Sequence, residues 1–186
     1  MTTAYLALGS NLGDRRRNLT RAVSVLAKTA GVRVLACSRV WETDAVGGPT
    51  QGRFLNAVVK VESHITPLEL LARLQEIEFR LGRKRPAAKW APRTLDIDIL
   101  SFGRHRITSR NLTAPHPRMH TRLFVLIPLF EVAPRFVHPV LRKTVRTMIA
   151  ETRKAIAADP ARAHEGSVFP TCGGPWRTGR PASVVR

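Results

Sequence analysis

Hydrophobic positions recur along this chain with two different periods. Segments that alternate every second residue predict strands, and segments with a spacing of three to four residues predict amphipathic helices. Alternating or continuous apolar runs predict four strands, at residues 4–8, 32–41, 54–63 and 93–100. Helical spacing predicts one helix between Asp14 and Gly31 and another between Thr66 and Gly82. The second helix begins with a capping box, because Thr66 is followed three residues later by Glu69. The order β-α-β-β-α-β predicts an α+β, ferredoxin-like fold, with two helices on one face of an antiparallel sheet.

Additional elements are expected after this core. The sequence predicts a strand or turn near Ile107, an apolar helix over residues 123–132 and an amphipathic helix over residues 145–157. Pro128 lies inside the apolar helix, where a proline removes one backbone hydrogen bond and clashes with the preceding turn. We therefore expect Pro128 to kink or shorten that helix.

Length and composition limit the number of domains. A chain of 186 residues with 44% hydrophobic residues is expected to build one domain with a sizeable core. After Asp159, glycine and proline become frequent and the apolar periodicity is lost. We therefore expect a domain over residues 1–159 and a poorly ordered basic tail over residues 160–186.

The net charge of +18 limits the classes of partner. Such a field attracts polyanions, whether nucleotides, nucleic acid or acidic membranes, although the arginines are spread along the whole sequence. Cys37 and Cys172 have no partners at metal-ligand spacing, which indicates a cytoplasmic protein without a disulfide framework. The N-terminal residues do not resemble a signal peptide, and no apolar run approaches the roughly 20 residues of a membrane span.

The strongest candidate chemistry lies in the last predicted core strand. Asp96 and Asp98 alternate with apolar residues, so both carboxylates point to one face with Cα atoms about 6.6 Å apart. Such a pair is also typical of a solvated strand face. It equally suits a divalent cation, since Mg²⁺ binds one or two carboxylates plus substrate phosphates. Nearby cations suited to phosphate oxygens favour nucleotide-dependent phosphoryl chemistry, namely Arg83, Lys84, Arg85, Lys89 and Arg93.

Four blocks of the sequence resemble the 6-hydroxymethyl-7,8-dihydropterin pyrophosphokinases of folate biosynthesis. They are ALGSNLGD at residues 7–14, FLNA at 54–57, KWAPRTLDIDIL at 89–100 and PHPRM at 115–119. The blocks follow the family's order and spacing, and the resemblance covers residues 3–155. It implies a ferredoxin-like fold, in agreement with the predicted order of elements.

The resemblance also implies a reaction. A member of this family transfers the β,γ-diphosphate of ATP to the hydroxymethyl group of the pterin and releases AMP. Asp96 and Asp98 resemble the pair that holds two Mg²⁺ ions, and Arg83 and Arg93 complete the expected catalytic set. The lack of an obvious general base fits phosphoryl transfer, which depends mostly on positioning and electrostatics. We expect a cytoplasmic monomer whose partners are ATP and the pterin, without membrane or specific nucleic-acid binding.

The same resemblance assigns substrate contacts to individual residues. The expected ATP-binding residues are Gln75, Glu78, Arg83, Arg85, Trp90, Arg93, Ile99, Thr113, His116 and Arg122. The expected pterin-binding residues are Thr43, Asp44, Val46, Phe54, Asn56, Trp90 and Phe124. In the family the aromatic positions flank the flat ring and the amide reads its edge. Structural roles remain open for several of them, since Phe54 could pack in the core and His116 could be an ordinary loop histidine.

The sequence departs from the family pattern beside these blocks. Ala91 occupies a position where glycine is common, and Asn111 one where some members carry arginine. Gly52 and Arg53 replace a commoner pair of proline and an acidic residue. These departures lie in or next to predicted loops, so they concern loop closure and affinity rather than the chemistry.

One alternative function remains open from the sequence. A ferredoxin-like fold with high positive charge is also compatible with an RNA-binding module, which stacks bases on sheet aromatics. Aromatic residues are only 6% of this chain, and the two acids on one strand would repel phosphates without a metal. The sequence therefore favours the enzyme over the RNA-binding module.

Overall fold

The predicted β-α-β-β-α-β order is confirmed in the computed structural model, which describes residues 1–45, 51–83 and 91–171. The core elements are β1 (Thr2–Ser10), α1 (Arg15–Leu26), β2 (Val32–Cys37), β3 (Trp41–Thr43), β4 (Phe54–Ser63), α2 (Pro67–Arg80) and β5 (Asp96–Phe102). The C-terminal elements are β6 (Ile107–Thr108), β7 (Thr113–Ala114), α3 (Leu123–Val132), α4 (Val145–Ala157) and β8 (Val168–Pro170). Two 3-10 helices lie at Met119–Thr121 and Pro160–Gly166.

The main sheet is antiparallel and has the strand order β5-β1-β4-β3-β8, with β2 also paired to β4. The single strand predicted over residues 32–41 is therefore divided into β2 and β3, which both pair with β4. The two strands are separate because, between them, Ser38 binds the backbone of β4 partly through its side chain. Its Oγ accepts a hydrogen bond of 2.9 Å from Val58 N–H, and its own N–H donates to Val58 O at 2.9 Å.

Helices cover both faces of this sheet. On one face, alternate residues of β1 and β4 pack against the two predicted helices, α1 and α2, through Leu6, Leu8, Val59, Val61, Leu19, Val23, Leu70 and Leu74. On the other face, α3 and α4 pack over Val58 and Leu100. The sequence predicted only the first of these layers.

Local signals explain most helix boundaries. Asp14 accepts a hydrogen bond of 3.0 Å from Arg17 N–H and so caps α1. The predicted capping box of Thr66 and Glu69 is present at the start of α2. Pro128 was expected to kink or shorten α3. The helix is not shortened, because it spans the whole predicted range and its apolar side chains are buried in the second core, whereas the kink stays a prediction.

The expectation of a poorly ordered tail from residue 160 is wrong for its first part. Pro160–Gly166 forms a 3-10 helix, and β8 pairs with β3. The pairing was not predictable from local periodicity, because a three-residue strand uses backbone groups of a distant strand edge. The predicted tail beyond residue 171 lies outside the described residues.

Across the described ranges, no helix is long and apolar enough to cross a membrane.

Candidate active site

The two predicted carboxylates lie on the sheet face that α3 and α4 cover. Ile97 and Ile99 are buried in the opposite core, so Asp96 and Asp98 point away from it. On β1, the partner of Asp96 is Gly9. The alternation predicted from sequence therefore places both carboxylates on one face.

Several predicted pterin-binding residues lie on the same face of the sheet, on the neighbouring strands β4 and β3. Gly9 is also the partner of Asn56 on β4, and a Cβ on Gly9 would lie 3.2 Å from Asn56 Oδ1. Because glycine has no side chain, the floor stays open between the Asp96 carboxylate and the Asn56 amide. Asn56 Nδ2 donates a 2.7 Å hydrogen bond to Thr43 Oγ1, and both side chains are buried. Phe54 follows on the same face of β4.

Two arginines neutralise Asp96. Arg93 Nη1 lies 2.7 Å from Asp96 Oδ2, and Arg83 Nη1 binds Asp96 Oδ1. Burial lowers the pKa of the Arg83 guanidinium, but the carboxylates of Asp96 and Glu78 outweigh it and the net shift is upward. Both predicted catalytic arginines, Arg83 and Arg93, thus lie beside the carboxylate pair.

Glu78 has a different position from the one expected of an ATP contact. Its side chain is only 3% exposed, binds Arg83 Nη1 and accepts a 2.7 Å hydrogen bond from Ile97 N–H. In this structure Glu78 therefore links α2, β5 and Arg83, and its predicted contact with ATP stays a prediction. A buried carboxylate with these partners orients the guanidinium.

Nearby positive charge neutralises the Asp98 carboxylate less completely than the Asp96 carboxylate. Burial, followed by the charge of Asp96, raises the pKa of Asp98 to about 6, while Arg122 and Arg83 act in the opposite direction. The described residues contain no cluster of three or more His, Cys, Asp or Glu side chains able to hold a metal. Carboxylate oxygens are the ligands that hard cations prefer, so the pair fits a cation that takes its remaining oxygen ligands from phosphate or water.

His116, Arg122 and Phe124 form a second side of the site. His116 N–H donates to Leu100 O at 2.8 Å, which attaches this segment to β5. Burial and the charges of Arg122 and Arg118 lower the pKa of His116 to about 4, so its ring is neutral at pH 7. The Arg122 guanidinium lies 5.3 Å from the Phe124 ring centre, and burial lowers its pKa as well.

The low pKa of His116 gives a direct test by NMR. We expect the His116 ring to titrate near pH 4, well below the ordinary histidine value of about 6.5. Because the unfolded chain binds this proton more readily, His116 should reduce stability as the pH falls from about 6.5 to 4. A His116→Gln variant should lose that part of the slope. Titration of His116 at or above 6.5 would contradict this placement.

The other predicted residues lie farther out or cannot be placed. Gln75 is exposed on α2 one turn before Glu78, and Thr113 is exposed in β7. The Ile99 side chain is 3% exposed in the opposite core, so only its backbone could contact a nucleotide. Asp44 accepts a 2.8 Å hydrogen bond from Arg53 Nε at the base of the loop. The predictions that concern Val46, Arg85 and Trp90 lie outside the described residues.

Asn11 is a functional candidate to which sequence reasoning gave no role. Its Oδ1 accepts from Arg93 N–H at 2.8 Å, its N–H donates to Arg93 O at 3.1 Å, and its Nδ2 donates to Gln51 Oε1 at 2.7 Å. Ser10 Oγ donates to Thr94 O at 2.6 Å beside it. The turn after β1 therefore holds the start of the Arg93 segment. The sequence feature that could have indicated Asn11 is the polar run that follows the apolar strand, within the family-like block at residues 7–14.

Comparisons with known proteins show the family of this chain. The family model for 7,8-dihydro-6-hydroxymethylpterin-pyrophosphokinase (HPPK) matches residues 5–134. The 2-amino-4-hydroxy-6-hydroxymethyldihydropteridine pyrophosphokinase of Bacillus subtilis (strain 168) is 50% identical over 129 residues, covering 69% of this chain and 77% of that protein. The protein of the same name from Methylorubrum extorquens is 42% identical over 151 residues, covering 81% and 94%.

A solved structure shows the same fold at low identity. The Plasmodium falciparum HPPK-DHPS structure with pterin and p-hydroxybenzoate matches with a TM-score of 0.70 and 16% identity. The match covers 91% of this chain, which spans 46% of that longer protein. On the family model and the sequence relatives together, this chain belongs to the 7,8-dihydro-6-hydroxymethylpterin pyrophosphokinase family.

Proposed function

We propose that the cluster around Asp96 and Asp98 is the active site for the family's reaction, diphosphate transfer from ATP to 6-hydroxymethyl-7,8-dihydropterin. The pterin hydroxyl oxygen forms a bond to the β-phosphorus, and the bond from that phosphorus to the α,β-bridging oxygen breaks. AMP leaves with that oxygen, and the hydroxyl proton is released to solvent. The observation that carries this assignment is the shared sheet face, where the carboxylates, Arg83, Arg93 and the Asn56 amide lie on neighbouring strands.

The arginines supply the nucleotide side of the site. Arg83 and Arg93 are held beside Asp96, so their guanidiniums are close to where a polyphosphate would approach the carboxylates. Guanidinium forks bind phosphate oxygens in bidentate geometry, which fixes the β-phosphorus for in-line attack. Arg122 and neutral His116 border the same space. Gln75, Thr113, Arg85 and Trp90 remain proposed ATP contacts, as does the backbone of Ile99.

Asp96 and Asp98 are proposed to hold two Mg²⁺ ions together with ATP. Their carboxylate oxygens are the donors that Mg²⁺ prefers. Burial, followed by the charge of Asp96, raises the pKa of Asp98, so a bound cation would offset the cost of ionising this carboxyl. Bound Mg²⁺ would offset the charge of the phosphates and activate the attacking hydroxyl.

The pterin is proposed to lie over Gly9, between the carboxylate pair and Asn56. A buried amide with its Nδ2 bound to Thr43 has a fixed orientation, which suits recognition of a heterocycle edge. Phe54 and Phe124 are proposed to flank the flat ring, and Trp90, Asp44 and Val46 are proposed further contacts. The RNA-binding alternative loses its structural basis, because α3 and α4 cover the sheet face that such modules leave open.

We also propose that the enzyme is a monomer and, from its cysteine content, that it is cytoplasmic.

Calorimetry can test both substrates in one experiment. A non-hydrolysable ATP analogue with Mg²⁺ should order the arginines around the site, so we expect the reduced pterin to bind at least about tenfold more tightly in its presence. Equal pterin affinity with and without the analogue would contradict the coupling. Absence of pterin binding in both conditions would contradict the proposed function.

A further inference from the structure

The segment from Pro160 to Pro170 lies outside the part of the chain that matches the family model, yet it runs beside the proposed site. Its 3-10 helix packs against α4, where a Cβ on Gly166 would be 3.5 Å from the Ile156 side chain. Glu165 binds Arg162 and is one of the carboxylates whose charge acts on Arg122. The segment thus follows α4 past the Arg122 side of the site.

The segment then joins the sheet next to the pterin-type residues. In β8, Val168 is the partner of Thr43, and Thr43 is in turn the partner of Phe54. These three residues form one row on the site face. Thr171 continues the attachment, since its Oγ1 and N–H donate to Val40 O at 2.9 and 3.2 Å. Without β8, the three-residue strand that carries Thr43 would be the edge of the sheet on this side.

On the other face, β8 contacts the ends of the loop between β3 and β4. The Arg53 guanidinium lies 5.4 Å from the Phe169 ring centre. Arg53 Nε also donates to Asp44 Oδ1 at 2.8 Å, which joins the two ends of that loop. Arg15 Nη1 donates to Arg53 O at 2.7 Å and to Glu42 Oε1 at 2.9 Å. Phe169 therefore packs under the ion pair that closes the loop.

We propose that β8 is a positioning element of the pterin subsite, with Val168 and Phe169 holding Thr43, Asp44 and Arg53 in place. This inference rests on the proposed function. By fixing Thr43, the strand fixes the hydroxyl that orients the Asn56 amide. By packing on Arg53, it fixes the loop ends next to Phe54. Its loss weakens pterin binding selectively, because Asp96 and Asp98 lie on β5 at the opposite edge of the sheet from β8, and Arg83 and Arg93 contact Asp96.

A matched pair of truncations tests this role in the full enzyme assay. One chain ends at Thr171 and keeps β8, whereas the other ends at Gly166 and lacks it. Both lose Arg177, Arg180 and Arg186, so both have a net charge of +15 and differ only in five uncharged residues. We expect the chain that ends at Gly166 to show a pterin KM about tenfold higher than the chain that ends at Thr171, with KM for ATP changed less than about twofold.

A point substitution covers the case in which the shorter chain fails to fold. Phe169→Ala should raise the pterin KM several-fold, and Phe169→Tyr should restore it, because the ring face under Arg53 is kept. Val140→Ala, at an exposed apolar residue on the loop before α4, is the control. Calorimetric pterin titration in the presence of the ATP analogue should reproduce the order of affinities.

The outcomes separate this inference from the proposed function. Equal pterin KM for both truncations and for Phe169→Ala would overturn the positioning role. A fall in kcat together with similar rises in KM for ATP and KM for the pterin would overturn it as well, since β8 would then be merely structural. If the full chain itself forms no diphosphorylated pterin, the proposed function fails instead.

Discussion

Asp98→Asn is expected to lower kcat for diphosphate transfer by at least about a hundredfold, because it removes one of the two charges proposed to gather Mg²⁺ beside the phosphates. The same substitution should stabilise the folded protein at pH 8. The raised pKa of Asp98 means that folding disfavours its ionised form, so this cost exists above pH 6 and disappears as the pH falls below about 4. Asparagine removes it, with an expected gain on the order of 2 kcal/mol.

The opposite directions of the two effects make the test specific. Asp96→Ala should lose a similar share of activity without the same gain, because Asp96 already has two guanidinium partners. Glu151→Gln, on the exposed face of α4, is the matched control and should leave both quantities unchanged. Near-normal turnover of Asp98→Asn in Mg²⁺ would refute the metal assignment, and denaturant unfolding measures the stability change.

Arg93→Ala is expected to cost about 2–4 kcal/mol of transition-state stabilisation, measured as the change in kcat/KM for ATP. The Arg93 side chain lies 2.7 Å from Asp96, while its backbone is held separately by Asn11. The substitution therefore removes the guanidinium and leaves the turn in place. Arg33→Ala is the control, since Arg33 forms an exposed ion pair with Glu62 at the start of β2. A loss of less than about threefold would show that Arg93 does not contact the phosphates.

Local periodicity predicted the strand that carries the carboxylates, although β5 runs from Asp96 to Phe102 rather than over residues 93–100. The bounds of β4 and α4 agree with the predicted ranges, and the alternation around Asp96 and Asp98 placed both on one face. These features depend on side chains two to four residues apart, which a sequence displays directly.

Partners distant in sequence could not be predicted. The resemblance named Glu78 as an ATP-binding residue, but the sequence did not show its contacts with Ile97 N–H and Arg83. The hydrogen bond from Asn56 to Thr43 depends on how β3 pairs with β4. β8 is the extreme case, since its three residues are fixed by the free edge of β3 rather than by their own pattern. Strand register and sheet edges are set by tertiary packing.

The central claim is that this face of the sheet transfers a diphosphate as one unit, and phosphorus NMR of the products measures that directly. The full chain, incubated with ATP, Mg²⁺ and the reduced pterin, should form AMP and diphosphorylated pterin in equal amounts, with the rate reduced in Asp98→Asn and kept in Glu151→Gln. Formation of ADP with a monophosphorylated pterin, or equal AMP formation by Asp98→Asn and the unsubstituted chain, would contradict the account.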